Sequence, residues 1–222
     1  QIPLRQLDVI EGHWSHMELE HTTERLSEMA VGIVGLGRIG GTLAKMLGPL
    51  VNQLLAYDPY ISNAAAAVSG AQRVSFDELL EQSDVVSLHV PLNKETRRLI
   101  GRRELNLMKP NAYLINTARG PVVDQSALYD ALVNKQLAGA GLDVLEIEPP
   151  SLPLHELFHL PNVIVTGHIA PSTPGARRDV WRIASENVAR FLNGDFPETA
   201  VNPHVQPRVH VRFAAEIPDH RR

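Results

Sequence analysis

Residues 30–58 restrict the fold more tightly than any other stretch of the chain. Ala30-Val31-Gly32-Ile33-Val34 is a short run of small and β-branched apolar residues, followed by Gly35-Leu36-Gly37-Arg38-Ile39-Gly40. A helix-like stretch, Gly41-Thr42-Leu43-Ala44-Lys45-Met46-Leu47, leads to a second apolar run, Leu54-Leu55-Ala56-Tyr57, which ends on Asp58. The order is strand, glycine-rich turn, helix, strand, acid, and each part suits a dinucleotide. Gly35 permits the tight turn, Gly37 removes the side chain that would hold backbone away from a pyrophosphate, and Gly40 lets helix and strand pack closely. The helix then points open amides and its positive dipole end at the phosphates. Asp58, eighteen residues after Gly40, stands where a carboxylate accepts from the adenosine ribose hydroxyls. That carboxylate would repel the extra phosphate of NADP and so favours NAD; Arg38 would soften the repulsion but is better placed for the pyrophosphate. The competing reading is a tight turn in another α/β fold.

The pattern continues beyond the motif. Buried strands are expected over Val31 to Val34, Leu54 to Tyr57, Asp84 to His89, Ala112 to Asn116, Gly139 to Val144 and Val163 to Thr166. Helices are expected over Arg38 to Leu47, Phe76 to Gln82, Glu95 to Met108, Gln125 to Lys135 and Gly175 to Asn193, the last closed by Gly194. Continuously apolar strands separated by helices imply a parallel sheet covered on both faces, hence a doubly wound, Rossmann-type α/β fold. Ligands of such sheets lie beyond the carboxyl ends of the strands. Before the sheet, residues 1–29 are polar, with a short helix expected over Glu18 to Met29; His13 and His16 read as exposed histidines rather than metal ligands. After Gly194 the chain is rich in proline and reads as extended or partly disordered, with Val209 to Phe213 a candidate short strand.

Bulk properties exclude several classes of function. The 222 residues carry a net charge of −4, which offers neither a nucleic-acid footprint nor a basic membrane face. Cysteine is absent, which removes disulfides, thiolate metal sites and a cysteine nucleophile and fits a cytoplasmic protein. No apolar run approaches the roughly 20 residues of a membrane helix, and the first residues have no signal-peptide pattern.

Three segments that follow strands carry candidate chemistry. Asn116-Thr117-Ala118-Arg119-Gly120 places Arg119 at the ligand edge, where a guanidinium fork matches a carboxylate or polarises a carbonyl. The alternative for Arg119 is a surface salt bridge. The segment Gly141 to Pro149 brings acids at 143, 146 and 148, and Thr166-Gly167-His168 brings a histidine. A lone histidine is ordinarily a packing or solvent residue. One at this edge with a carboxylate beside it becomes a usable proton donor near neutral pH. His155-Glu156-Leu157-Phe158-His159 matches H-E-x-x-H, a zinc-hydrolase pattern that works only on an α-helix. Pro153 and Pro161 bracket it closely, so a polar loop is expected instead.

Together these segments resemble the D-isomer-specific 2-hydroxyacid dehydrogenases, over roughly residues 12–203. The resemblance rests on Val31 to Gly40, Tyr57-Asp58-Pro59, His89-Val90-Pro91-Leu92 with Glu95-Thr96, and Ile115 to Gly120 with Val123-Asp124. It continues through Leu142-Asp143-Val144 to Glu148-Pro149, Pro161-Asn162-Val163, His168-Ile169-Ala170 and Ala200 to Pro203. It implies an NAD-dependent oxidoreductase moving a hydride between nicotinamide and C2 of a D-2-hydroxy or 2-oxo acid. Arg119 would hold the substrate's carboxylate and carbonyl, His168 would exchange the hydroxyl proton, and Glu148 would orient and charge His168. Asp143 would contact the nicotinamide end, while Gly35, Gly37, Arg38, Ile39, Gly40, Asp58, Val90, Pro91, Thr96, Thr117 and Ala118 would line the cofactor. Glu148 argues against the formate dehydrogenases of the superfamily, which lack that acid.

Two departures from the family pattern stand out. Gly167 replaces the usual proline before the histidine, which would loosen the backbone aiming His168. Most of the substrate domain, which in the family lies largely N-terminal to the cofactor domain, is not in this sequence; a fragment or a truncated gene product is expected. The domains are read as 1–29 a remnant of the substrate domain, 30–171 the cofactor domain, 172–203 a helix and return segment, and 204–222 a tail. A cytoplasmic homodimer acting on a small acid, without nucleic-acid or membrane partners, is the implied state. The alternative is an NAD(H)-binding module of the corepressor type that turns nothing over.

Overall fold

A computed structural model describes residues 9–12, 24–197 and 199–202. These fall into two compact units, one ending at Ile169 and one beginning at Ala170.

The first unit is built on seven parallel strands: β1 (Ala30–Val34), β2 (Gln53–Tyr57), β3 (Gln72–Arg73), β4 (Val85–Leu88), β5 (Tyr113–Asn116), β6 (Gly139–Leu142) and β7 (Val163–Val165). Their spatial order is β3-β2-β1-β4-β5-β6-β7, so the winding reverses between β1 and β4, the crevice where such sheets take ligands. The register has a simple consequence. Tyr57 pairs with Val34, Val34 with Leu88, Leu88 with Asn116, Asn116 with Leu142, and Leu142 with Val165. One rung therefore crosses six strands, and each strand ends on it. Asp58, Gly35, His89, Thr117, Asp143 and Thr166 are the next residues in their segments, which sets the functional candidates along one rim.

Five helices cover this sheet: α1 (Arg38–Leu47), α2 (Asn63–Val68), α3 (Phe76–Gln82), α4 (Arg102–Leu107) and α5 (Gln125–Val133). One apolar cluster lies around Leu55, Leu79, Leu88, Leu105, Leu114 and Leu128, all at most 1% exposed. A second lies around Ile33, Ala44, Ala56 and Ala66, beneath α1 and α2. Caps set the helix starts: Ser62 Oγ accepts from Ala65 N, Ser75 and Glu78 form a reciprocal capping box, and Asp124 accepts from Ala127 N. At the opposite edge, buried Asp84 accepts from Ala30 N and from Lys109 Nζ, both at 2.7 Å, tying down the start of β1.

The expected elements appear, with informative differences. The helix expected from Glu95 is reduced to α4, because residues 93–99 form a turn. Asn93 Oδ1 accepts from Thr96 N and Thr96 Oγ1 accepts from Asn93 N, each at 2.9 Å, and these local bonds compete with helix. Arg98 then adopts a left-handed φ of 54°, and α4 begins only after Gly101. β4 and β6 are shorter than expected at their ends, α5 stops at Val133, and the short β3 and the alanine-rich α2 were not anticipated. Of the helix expected over Glu18 to Met29, the described part is a 3-10 turn at Leu26–Glu28. His13, His16 and the strand expected over Val209 to Phe213 lie outside the described residues.

The second unit contains α6 (Pro174–Leu192), capped by Thr173 Oγ1 accepting from Ala176 N and followed by Gly194 at φ 87°. No residue of α6 is buried.

Adjacent glycines in α1 provide a stability test. A Cβ on Gly40 would stand 2.0 Å from Gly35 O, a backbone atom that cannot swing away, whereas one on Gly41 would have only 3.6 Å contacts. Urea unfolding should show Gly40→Ala losing about 1–3 kcal/mol from overpacking. Gly41→Ala should be neutral or gain up to about 1 kcal/mol from helix propensity. Equal effects would contradict this packing.

Candidate active site

At the switch point, Gly35 turns at φ 91°, and its N donates to Tyr57 O at 2.8 Å. A Cβ there would stand 2.7 Å from His89 O and 2.9 Å from Val90 Cγ1, so β4's exit lies directly against the turn. Gly37 caps α1 without a side-chain bond, and a Cβ on it would meet nothing within 4 Å. α1 thus begins at this rim, where a helix leaves its first amides without intrahelical partners. Arg38 and Ile39 follow on that turn, both exposed.

Asp58 is fixed where β2 ends. Its Oδ2 accepts from Leu36 N and its Oδ1 from Tyr60 N, each at 2.9 Å. A carboxylate offers about four lone-pair positions, so both oxygens retain capacity for ribose hydroxyls. Past β4, Val90 is half-buried and Pro91 exposed, and Thr96 Oγ1 returns to donate to Pro91 O.

Beyond β5, buried Asn116 shapes the next loop. Its Oδ1 accepts from Ala118 N and its Nδ2 donates to Arg119 O, both at 3.0 Å. Thr117 and Arg119 are exposed and Ala118 half-buried, with Arg119 Nη1 donating to Ala118 O at 2.6 Å. Gly120 follows with no room to spare: a Cβ there would lie 1.7 Å from Leu145 O. The run bearing Arg119 therefore rests directly on the backbone of the run leading to Glu148.

Glu148 links the last two loops. Its Oε1 accepts from Leu145 N, and its Oε2 lies 2.7 Å from His168 Nδ1. Partial burial pushes the Glu148 carboxyl up. The Leu145 amide, the His168 hydrogen bond and the charges of His168 and Arg119 outweigh it, and the carboxyl titrates below its ordinary value. Arg119 thus acts electrostatically on the same carboxylate that holds His168. His168 itself sits at φ 57°, an uncommon conformation for a residue other than glycine. Its N donates to Asp143 O at 2.8 Å, while Asp143 Oδ1 accepts from Ile169 N at 2.9 Å and from Thr166 Oγ1. Asp143, 5% exposed, thereby pins the loop on both sides of the imidazole, although Gly167 lacks the stiffness of a proline.

The H-E-x-x-H segment is a 3-10 turn over Glu156–His159 rather than an α-helix. With three residues per turn, positions four apart diverge around the axis. His155 Nδ1 accepts from Leu157 N, its ring meets Tyr129 edge-on, and Glu156 accepts from the Tyr129 hydroxyl. Among the described residues, no group of three or more His, Asp or Glu could hold a metal ion.

Residues 1–170 match the family described as D-isomer specific 2-hydroxyacid dehydrogenase, NAD binding domain. The chain belongs to that family. It is 46% identical to a glyoxylate reductase of Thermococcus litoralis over 180 residues, covering 81% of this chain and 54% of that protein. It is 40% identical to a D-3-phosphoglycerate dehydrogenase of Archaeoglobus fulgidus over 208 residues, covering 93% of this chain and 39% of that protein. The D-lactate dehydrogenase of Aquifex aeolicus, solved with NAD and lactic acid, superposes with a TM-score of 0.80 at 34% identity. That match covers 87% of this chain and 62% of that one. The chain thus spans about half the length of the curated relatives it matches. NAD is the family's cofactor, and the rim fits it: Gly37 opens onto free space at the start of α1, and Asp58 is braced against the same turn through Leu36 N.

Several residues that shape this rim were not singled out from sequence. Asn116 is a buried amide closing an apolar strand, a signal that could have marked it. Gly120 looks like any loop glycine until Leu145 is brought against it. The depressed Glu148 carboxyl generates a pH test. A carboxylate with a lowered folded pKa stabilises fully above its unfolded value and loses that contribution as pH falls through the folded one. The unfolding free-energy gap between wild type and Glu148→Gln should therefore be full at neutral pH and narrow progressively on acidification below the ordinary carboxylate range, as pH falls through the lowered folded value. A gap that widened on acidification would reverse the assignment.

Proposed function

We propose that this chain is the cofactor-binding half of an NAD-dependent dehydrogenase acting at C2 of a D-2-hydroxy acid or its 2-oxo acid. The observation that carries the reading is the Glu148–His168 pair at 2.7 Å, on the rim that also bears the glycine turn, with the Arg119 charge acting on the same carboxylate. The relatives' names, glyoxylate reductase and D-3-phosphoglycerate dehydrogenase, support a 2-oxo or 2-hydroxy acid.

Bound NAD supplies the hydride acceptor in the oxidative direction and, once reduced, the donor in the other. The chain's residues do the rest. Gly37 would let the pyrophosphate approach backbone, while Gly35 makes the turn and Gly40 packs α1 closely on it; Arg38 and Ile39 would flank the pyrophosphate, and Asp58 would take the ribose hydroxyls. Val90, Pro91, Thr96, Thr117, Ala118 and Asp143 line the path to the nicotinamide end. Arg119 grips the substrate carboxylate and polarises its C2 oxygen. An ionised Glu148 can only accept, so it requires the proton of His168 on Nδ1 and leaves Nε2 to take the C2 hydroxyl proton during oxidation. In reduction, Nε2 returns that proton to the C2 oxygen. Asp143 adds a second task, holding the loop that carries the imidazole.

We extend the reading to a cytoplasmic homodimer, the state implied by the family resemblance and compatible with a chain without cysteine. Among the described residues, no helix is long and apolar enough to cross a membrane.

Calorimetry should show the 222-residue chain binding NAD more tightly than NADP, with Asp58→Ala weakening NAD and narrowing the difference. No NAD binding at millimolar concentration would falsify the cofactor reading. In the full-length protein, His168→Ala should lower turnover of a 2-oxo acid by about 10²–10⁴-fold. Normal turnover would remove His168 from the chemistry. NAD binding without turnover across a 2-oxo acid panel would support the binding-module alternative for this chain.

A further inference from the structure

Arg98 lies between the two runs that carry Arg119 and Glu148, in contact with an acid on each, and the reaction as described gives it no task. The backbone at Arg98 and Ile100 is fastened to the first run: Arg98 N donates to Pro121 O at 2.8 Å, Ile100 N to Val122 O at 3.1 Å, and Asp124 N to Ile100 O at 2.9 Å. Its side chain reaches both runs. Nη1 lies 3.6 Å from Asp124 Oδ2, while Nη2 donates to Glu146 Oε1 at 3.1 Å. Both carboxylates are about three-quarters covered, with side-chain exposures of 25% and 26%. Asp124 is held independently, since its Oδ1 accepts from Ala127 N as the α5 cap. Glu146 is held independently as well, through its N donating to Gln125 Oε1 at 3.4 Å. Arg98 therefore bridges two fixed points, one five residues after Arg119 and one two residues before Glu148.

This bridge spans the contact in which Gly120 rests on Leu145 O. Leu145 N is also the amide that holds Glu148 Oε1. Any slackening between the runs would thus act on the Leu145 amide and on the approach of Arg119 to Glu148. An arginine fork can engage two acceptors at once, which an ammonium on a flexible stem cannot do with fixed geometry. Arg98 makes this bridge from a left-handed φ of 54°, an uncommon conformation for a side-chain-bearing residue.

We propose that Arg98 is a positioning residue that clamps the Arg119 run to the Glu148 run through Asp124 and Glu146, and so sets the guanidinium, carboxylate and imidazole relative to one another. The proposal rests on the reading of Arg119, Glu148 and His168 as the reacting set, and it concerns only how that set is held.

The test is the titration of the Glu148 carboxyl carbon by NMR in the ligand-free 222-residue chain, the resonance being identified by its loss in Glu148→Gln. The groups acting on this carboxyl are the Leu145 amide, His168 and Arg119. Glu146→Gln discriminates by sign. Mere removal of a neighbouring negative charge would lower the Glu148 midpoint, whereas release of the clamp would raise it by about half a unit as the Leu145 amide and Arg119 withdraw. Arg98→Lys retains the charge, so an account based on charge alone expects no movement, and the clamp expects a rise. Exchange of the Leu145 amide should quicken about fivefold in both variants, while Ile115 in β5 is unchanged. A Glu148 midpoint that falls in Glu146→Gln, or stays fixed in Arg98→Lys, overturns the proposal. Neither NAD nor substrate enters the measurement, so its outcome is separate from that of the turnover assay with His168→Ala.

Discussion

Six strands stop on one hydrogen-bonded rung, and everything chemical in this chain follows from that alignment. Tyr57, Val34, Leu88, Asn116, Leu142 and Val165 share the rung, so the segments that leave the sheet all depart at the same level. A parallel ladder imposes this common direction, because each crossover must return the chain to the opposite edge before the next strand begins. The glycine turn, Asp58, Arg119 and His168 therefore meet without any long excursion of their loops.

Within that rim, backbone does more positioning than side-chain ion pairs. The Glu148–His168 pair is more than a third exposed on the histidine side, and exposed pairs of this kind are worth at most about 1 kcal/mol. Its value lies in orientation. Glu148 is aimed by a backbone amide, Arg119's run by close apposition of Gly120 to Leu145, and the His168 loop by buried Asp143. The chemistry is placed by amides and carbonyls that the sheet and its exits already fix.

Much of this was legible in the sequence where the signal is local. The glycine turn, its helix and Asp58 declare themselves because each requires a residue type at a fixed spacing, and α1 and α3 begin and end where the pattern indicates. The placement of Arg119, Glu148 and His168 after strands followed from apolar runs of ordinary length. What escaped was either too short or set by distant partners. β3 has only two residues, too few for any periodicity. The false start of α4 arose because Asn93 and Thr96 bond to each other's backbone and override a helix-compatible composition. Gly120 and Arg98 acquire their meaning only when runs some 25 and 48 residues away are packed against them.

The left-handed backbone at His168 has a bearing on how this scaffold can diverge. Histidine, asparagine and aspartate are the side-chain-bearing residues that tolerate that conformation best. An asparagine at this position would preserve the loop pinned by Asp143 and the dinucleotide crevice beside it, yet it has no proton to trade near neutral pH. A single-codon drift could thus take the imidazole from this rim while leaving the architecture untouched, so the fold places no barrier between forms that keep a titratable group there and forms that do not.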